Sequence, residues 1–266
     1  MGPGWGSLVL VITLGGCTTR TPATPYVPQP FPTVQVIAFA DASLQVGLIE
    51  ARKASFGSPH VGLWIDFDAS PAQVRRIEGG DRADLLLLEA SSLQRLADTE
   101  VTSGRPVEFT ANRLTVVVPA ANPAGLRSVF DLASPGLRVA AAADEAPLTE
   151  AAQRLVDRLA GLPEAPPGFA AAYAANIRSR EVNVRFVLAR VERGEADAAI
   201  VYASDARTSP NLSMVQIPVA ADIPVRYAGA VIKGAVNGSY GQRFVDFLVG
   251  PDGQALLDRN GYLPPT

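Results

Sequence analysis

Phe39–Leu44 reads F-A-D-A-S-L, and Phe67–Ile77 reads F-D-A-S-P-A-Q-V-R-R-I. Each stretch carries an apolar, strand-type run into a serine and then into a helix-forming segment. A serine at such a junction can cap the helix with its hydroxyl. Alternatively, the hydroxyl and the free backbone N–H groups of the first turn can face outward and hold an anion. Ser70 is followed by Pro71, which suits the first helical position, so Ser70 is also a good structural cap. Two such junctions in tandem suggest a binding cleft.

Working outward, Val34–Ala40 reads as a buried strand, Ser43 to about Phe56 as an amphipathic helix, and His60–Phe67 as a second strand. A helix over Ser70 to about Glu78, an apolar strand over Ala83–Leu88 and a third helix from Ser91 to about Asp98 follow. This β-α-β-α-β-α order predicts a parallel sheet with helices on both faces. Such sheets bind ligands beyond the carboxyl ends of their strands, where Ser43 and Ser70 lie. A second series begins with a strand at Leu114–Val118, a turn at Ala121–Leu126 and a short helix at Ser128–Leu132. A strand at Leu137–Ala142, a helix at Leu148–Leu159, a helix at Val184–Arg193 and a buried strand at Ala198–Tyr202 continue it. The chain returns through Val225–Lys233 and ends in helices near Gly241–Leu248 and Pro251–Arg259. The expected fold is therefore α/β with two lobes, each a mostly parallel sheet flanked by helices, and a cleft between them. The expected divisions are residues 34–112 plus 226–266 for one lobe and 113–225 for the other.

Composition removes several function classes. The chain has 266 residues, a net charge of −3, one histidine and one cysteine. No basic footprint for nucleic acid is visible. Thiolate zinc sites, Cys/His nucleophile pairs and disulfide frameworks all need more of these side chains than exist here. A Ser/His/Asp hydrolase would have to use His60, yet no G-x-S-x-G elbow is present and His60 sits beside Pro59 in a loop segment, which reads as a surface histidine. The expectation is a protein that is not an enzyme and has neither a cofactor nor a cluster of protein metal ligands.

The N-terminus has its own character. Leu8–Leu14 is an apolar run followed by Gly15, Gly16 and Cys17, and L-G-G-C resembles a bacterial lipoprotein cleavage box. The resemblance implies a signal peptide over residues 1–16, removed on export, and a lipid on Cys17; no Lys or Arg precedes the run, and an incidental cysteine on a short apolar N-terminus is the alternative. Residues 17–33 carry Pro22, Pro25, Pro28, Pro30 and Pro32 among threonines, a composition that favours an extended tether over a packed core. The run is too short to span a bilayer, so any membrane attachment is through the lipid anchor only.

The body from Val34 to Pro264 resembles the periplasmic molybdate-binding proteins of bacterial ABC importers, members of the type II solute-binding fold. The residues that carry the resemblance are F-A-D-A-S-L at 39, F-D-A-S with R-R-I at 75, G-D-R-A-D-L at 80, N-R-L-T-V-V-V-P at 112 and N-P-A-G-L at 122. The long stretch from Asn183 to Ala206 and the closing F-V-D-F-L-V-G-P-D-G-Q-A-L-L-D-R-N-G-Y agree as well. The resemblance implies a monomer that captures a tetrahedral oxyanion, molybdate or tungstate first, outside the cytoplasm and delivers it to a permease and ATPase complex. It implies ligation by Ser43, Ser70, Leu148, Val184 and Tyr202, through hydroxyls and backbone N–H groups. Physically, several neutral donors at helix N-termini can replace the hydration shell of a dianion. The bound metal enters only as the oxyanion at those residues.

Three departures mark this chain. Ala140–Thr149 lacks the G-D-P of the family loop and puts Leu148 where a small residue is expected. The family's S-A-D after the third strand is replaced by E-A-S at Glu89–Ser91. Asp41 and Asp68 each lie two residues before a proposed ligand serine. A carboxylate about 6 Å from a bound anion costs about 3 kcal/mol at an effective dielectric near 20. Either these acids are solvated or paired with Arg75 or Arg76, leaving the oxyanion site intact, or they ligate a neutral or cationic solute. A lipoprotein that senses its ligand without transport is the remaining alternative. With the oxyanion reading, removing both hydroxyls by Ser43→Ala with Ser70→Ala is expected to abolish ligand-induced stabilisation and leave the ligand-free melting temperature within a few degrees.

Overall fold

The central strands are buried along nearly their whole length, as strands covered on both faces must be. In the computed structural model, residues 33–265 are described apart from 57–59, 145 and 223, together with Met1. The expected signal segment beyond Met1, Cys17 and all of the tether except Thr33 therefore lie outside the described residues. The first sheet has the order β2-β1-β3-β10-β4, built from β1 (Val34–Asp41), β2 (Val61–Asp68), β3 (Leu85–Glu89), β4 (Val107–Asn112) and β10 (Val225–Val231). The second has the order β7-β6-β8-β5-β9, built from β5 (Leu114–Pro119), β6 (Val139–Ala142), β7 (Ile177–Glu181), β8 (Ala198–Tyr202) and β9 (Leu212–Val215). Helices α1 (Gln45–Ser55), α2 (Ser70–Glu78), α3 (Ala90–Asp98), α8 (Gly238–Val249) and α9 (Pro251–Arg259) belong with the first sheet. Helices α4 (Pro147–Ala160), α5 (Phe169–Asn176), α6 (Val184–Glu192) and the short α7 (Ala203–Ala206) belong with the second.

Each sheet is covered on both faces. Val36, Ala38 and Ala40 of β1 pack with Leu44, Leu48, Phe244 and Leu257, while Phe39 on the opposite face packs with Val74, Leu93 and Leu96. Leu85–Leu88 is fully buried throughout, as an unbroken apolar run in a doubly covered sheet should be. In the second sheet Val116 and Val118 face α4 and α5, whereas Val117 faces α6.

Both sheets are mixed. In the first, β1 runs parallel to β2 and β3, and β10 is antiparallel to β3 and β4. In the second, β6 is parallel to β7 and β8, and β5 is antiparallel to β8 and β9. The antiparallel strand of each sheet is the one next to a crossing. β5 enters the second sheet directly after β4 and Arg113, and β10 returns to the first sheet after the second is complete.

Five elements were not expected from the sequence, the short α7 directly after Tyr202 among them. α5, F-A-A-A-Y-A-A-N, is apolar on nearly every side and shows no helical stripe. β7 and β9 are edge strands with half-exposed, partly polar sequences, and β4 ends in polar residues that are nevertheless buried. Conversely, the first helix begins with a short 3-10 turn at Ala42–Leu44 before α1, because Asp41 caps it through the Ser43 N–H.

Candidate anion cradle between the two sheets

The two serine junctions meet because β1 and β2 pair in parallel with Asp41 opposite Asp68. Each strand then reaches its serine two residues later, so equal spacing in sequence becomes adjacency in space. Ser43 lies in the 3-10 turn after β1, and Ser70 is the first residue of α2, with Pro71 beside it. Both serines are buried.

What they hold is the chain's own carboxylate. Asp41 Oδ1 accepts from the Ser43 N–H at 3.0 Å and the Ser43 hydroxyl at 2.6 Å. Asp41 Oδ2 accepts from the Ser70 N–H at 3.0 Å and the Ser70 hydroxyl at 2.6 Å. Asp41 is only 3 % exposed. Neither alternative expected for this acid therefore holds in its simple form. It is not solvated, and Arg76 is engaged with Asp66 and Asp81 at 2.9 and 2.8 Å instead. Asp68, by contrast, is exposed and accepts from the neighbouring Ala69 N–H at 2.7 Å.

The hydroxyl protons are committed by this arrangement. Each serine has one proton, and each gives it to Asp41. The Ser70 oxygen then accepts from the Glu89 N–H at 2.9 Å, and the Ser43 oxygen, 2.6 Å from the Tyr227 hydroxyl, accepts from it. Tyr227 is fully buried in β10; burial first, and then Tyr202 and Asp41, push its phenol well above the usual range, so it stays a donor. Tyr262 braces the same turn, donating to the Ser43 carbonyl at 2.8 Å across Gly47. A Cβ at Gly47 would lie 2.8 Å from the Tyr262 ring, which is why that position in α1 needs glycine.

The second sheet supplies the remaining expected residues. Tyr202 ends β8 and is 5 % exposed, buried with Leu148 and Val187. Its hydroxyl makes no hydrogen bond among the described residues, and burial, followed by the charges of Asp41 and Glu89, drives its pKa far upward. It is a protonated donor within electrostatic reach of the serine cradle. Leu148 occupies the first turn of α4, between Pro147, which has no N–H, and Thr149, whose N–H donates to the Ala146 carbonyl at 2.9 Å, so the Leu148 N–H is the first-turn donor without an intrahelical acceptor. Val184 opens α6, and Asn183 caps that helix by accepting from the Phe186 N–H at 3.2 Å, as its sequence position suggested.

A cavity of about 340 Å³ opens between the sheets, lined among others by Glu89, Ser91, Leu114, Arg154, Arg158 and Arg226. Neither serine lines it. Glu89 joins the two regions, with its backbone on Ser70 and its side chain at the cavity. Desolvation, and then Asp41, hold the Glu89 carboxyl above its usual range, while Arg154 opposes the shift. Among the described residues no cluster of His, Cys, Asp and Glu could hold a metal ion, and no helix is long and apolar enough to cross a membrane. His60 is exposed in a turn.

Sequence reasoning missed Tyr227 and Tyr262, which carry no local signal beyond an aromatic in an apolar strand and one near the C-terminus. The signal for Glu89 was the acidic replacement at the third strand's end.

Comparison with known proteins agrees with this geometry. The description "bacterial extracellular solute-binding protein" matches residues 57–263. The molybdate-binding protein ModA of Mycobacterium tuberculosis (strain ATCC 25618 / H37Rv) is 29% identical over 262 residues, covering 97% of this chain and 96% of its own. Among solved structures, the sulfate-binding protein SubI from Mycobacterium tuberculosis H37Rv superposes with a TM-score of 0.70 at 20% identity, covering 87% of each chain. The substrate-binding domain of a molybdenum ABC transporter protein from Clostridium difficile gives 0.69 at 21% identity, over 88% of this chain and 100% of its own. With two five-stranded sheets flanking a cleft and a family match over most of its length, this chain belongs to the bacterial extracellular solute-binding proteins, a family of binding proteins and not of enzymes.

Proposed function

We propose that this protein captures a tetrahedral oxyanion, molybdate or tungstate first, and delivers it to the permease and ATPase of an ABC importer. The observation that carries the proposal is the convergence of two serine hydroxyls and two backbone N–H groups on one pair of anionic oxygens. Neutral donors already hold a negative charge there, buried, with no arginine among the four contacts. Relatives named for binding molybdate and sulfate, both tetrahedral dianions, support the same ligand class. Ser43, Ser70 and the N–H groups of Leu148 and Val184 would bind the solute with the Tyr202 hydroxyl, the only one of these hydroxyls with no partner already.

A neutral or cationic solute ligated by Asp41 is disfavoured. Each Asp41 oxygen already accepts two hydrogen bonds, which fills the acceptor capacity that such a ligand would need. Asp68 lies outside the cradle.

The lobes would comprise residues 34–112 with 226–266, and 113–225. They would close about the crossings near Asn112 and Val225, and the solute would stabilise the closed form by its higher affinity for it. Tethering through a lipid on Cys17 would keep a monomeric protein beside its permease. Calorimetric titration of the full chain with molybdate, tungstate, sulfate and phosphate tests the ligand class. Heat of binding with at least one is expected; silence with all four at millimolar concentration refutes it.

A further inference from the structure

Asp41 occupies the place that the proposed function gives to two oxygens of the solute. Its two carboxylate oxygens take both hydroxyl protons and both N–H groups that the junctions offer, and it does so from the end of β1, inside the same turn as Ser43. A hydroxyl has one proton to donate, so the serines cannot serve Asp41 and a bound oxyanion at once. No cation compensates the carboxylate among these contacts: Glu89, whose N–H bonds Ser70, is a second acid held above its usual range by desolvation and then by Asp41, and Tyr202 and Tyr227 are neutral.

The geometry points to Asp41 as an internal competitor: a tethered carboxylate that fills the anion cradle in the free protein and must be displaced before a solute oxyanion can use Ser43 and Ser70. This inference rests on the cradle being the solute site. Asp41 then sets affinity and selectivity without itself being a ligand. Removing its charge should strengthen oxyanion binding, because the solute no longer competes with a tethered anion or lies beside one. One unit charge about 6 Å away at an effective dielectric near 20 corresponds to about a hundredfold. The free protein should also lose stability, because four buried donors lose their acceptor.

The test is calorimetric titration of the full chain with sodium molybdate, sulfate and phosphate, using wild type, Asp41→Ala, Asp41→Asn and the Ser43→Ala/Ser70→Ala double variant. Circular dichroism checks folding, and two Asp41 substitutions of different shape guard against one failing to fold. Both Asp41 variants should bind at least one oxyanion about a hundredfold more tightly than wild type. The ligand-free melting temperature of Asp41→Ala should fall and be restored by that oxyanion. A silent wild type beside a binding Asp41 variant supports the competitor while refuting capture by the wild type. Equal affinity in wild type and both Asp41 variants overturns the competitor and leaves the oxyanion site standing, and weaker binding in those variants does the same by making Asp41 a positioning group. No heat in any of the four proteins overturns both.

Discussion

Ser70→Ala should destabilise the ligand-free protein, although a serine in the first turn of a helix is normally a replaceable cap. The side chain is fully buried, donates to Asp41 Oδ2 at 2.6 Å and accepts from the Glu89 N–H at 2.9 Å. A hydroxyl donating to a charged acceptor contributes about 1.5–3 kcal/mol, and leaving a partly buried N–H without its acceptor adds about 1 kcal/mol. The Ser70 N–H keeps its bond to Asp41, and Pro71 still favours the helix start, so the total should be about 2–4 kcal/mol. In a chain of this size that is a fall of roughly 10 °C in melting temperature. Urea denaturation followed by circular dichroism should show a lower midpoint at unchanged slope. A double-mutant cycle with Asp41→Ala isolates the bond: Ser70→Ala should cost about 1–2 kcal/mol less when the carboxylate is already gone. A loss below about 0.5 kcal/mol in the single variant, or strict additivity in the cycle, would show that the serines do not hold Asp41 in solution. The same reasoning replaces the expectation that Ser43→Ala with Ser70→Ala leaves the ligand-free melting temperature within a few degrees.

Gly47→Ala should destabilise by about 1–3 kcal/mol, because the added methyl meets the Tyr262 ring at 2.8 Å and Leu257 at 2.9 Å in a packed core; a neutral result by urea denaturation would mean that the ring yields freely and does not brace Ser43. Asp205, in α7, is partly exposed, yet its environment raises its carboxyl to about 7, chiefly by desolvation against the opposing effect of Arg185. The folded state therefore binds this proton more tightly than the unfolded chain, so its contribution to stability is full below about pH 3.8 and lost as pH rises to about 7. Asp205→Asn should flatten that part of the pH profile and stabilise the protein at pH 8 by on the order of 1–2 kcal/mol; an unchanged profile would place the carboxyl in free contact with water.

Much of the first sheet was legible because its signals are local. Leu85–Leu88 announces a buried strand by being apolar throughout, and Ser70–Glu78 announces a helix by Pro71 and the spacing of Val74 and Ile77. α5 and the edge strands β7 and β9 were not legible, since pairing at a sheet edge and packing under a loop depend on partners far away in sequence. The same division runs through the cradle. The equal spacing of Asp41 to Ser43 and Asp68 to Ser70 put both serines on the page, but the in-register pairing of Asp41 with Asp68 is a tertiary fact. So is the choice between the two acids. One carboxylate turns into the cradle while the other stays in solvent, from nearly identical sequence, because β1 is flanked on both sides by β2 and β3 whereas β2 lies at the sheet edge. Tyr227 and Tyr262 reach Ser43 from 184 and 219 residues away, beyond any local pattern.

The four hydrogen bonds on Asp41 cannot be counted twice. In the free protein they stabilise the fold, so a solute that takes them over gains only the difference between its own bonds and those it displaces. A cradle without an internal carboxylate would face the opposite balance: its donors would be hydrated or unpaired before binding, and the solute would receive nearly their full effect. If the cradle is the solute site, as proposed, Asp41 exchanges affinity for stability in the free form. The donors on the second sheet stand apart from that exchange. Tyr202 keeps an uncommitted hydroxyl, and the first-turn N–H groups of Leu148 and Val184 belong to the other sheet, so under the proposed function their contribution would be made only when a solute bridges the cleft. Discrimination between open and closed states should accordingly depend on Tyr202 more than on either serine, because the serines meet an anion in both.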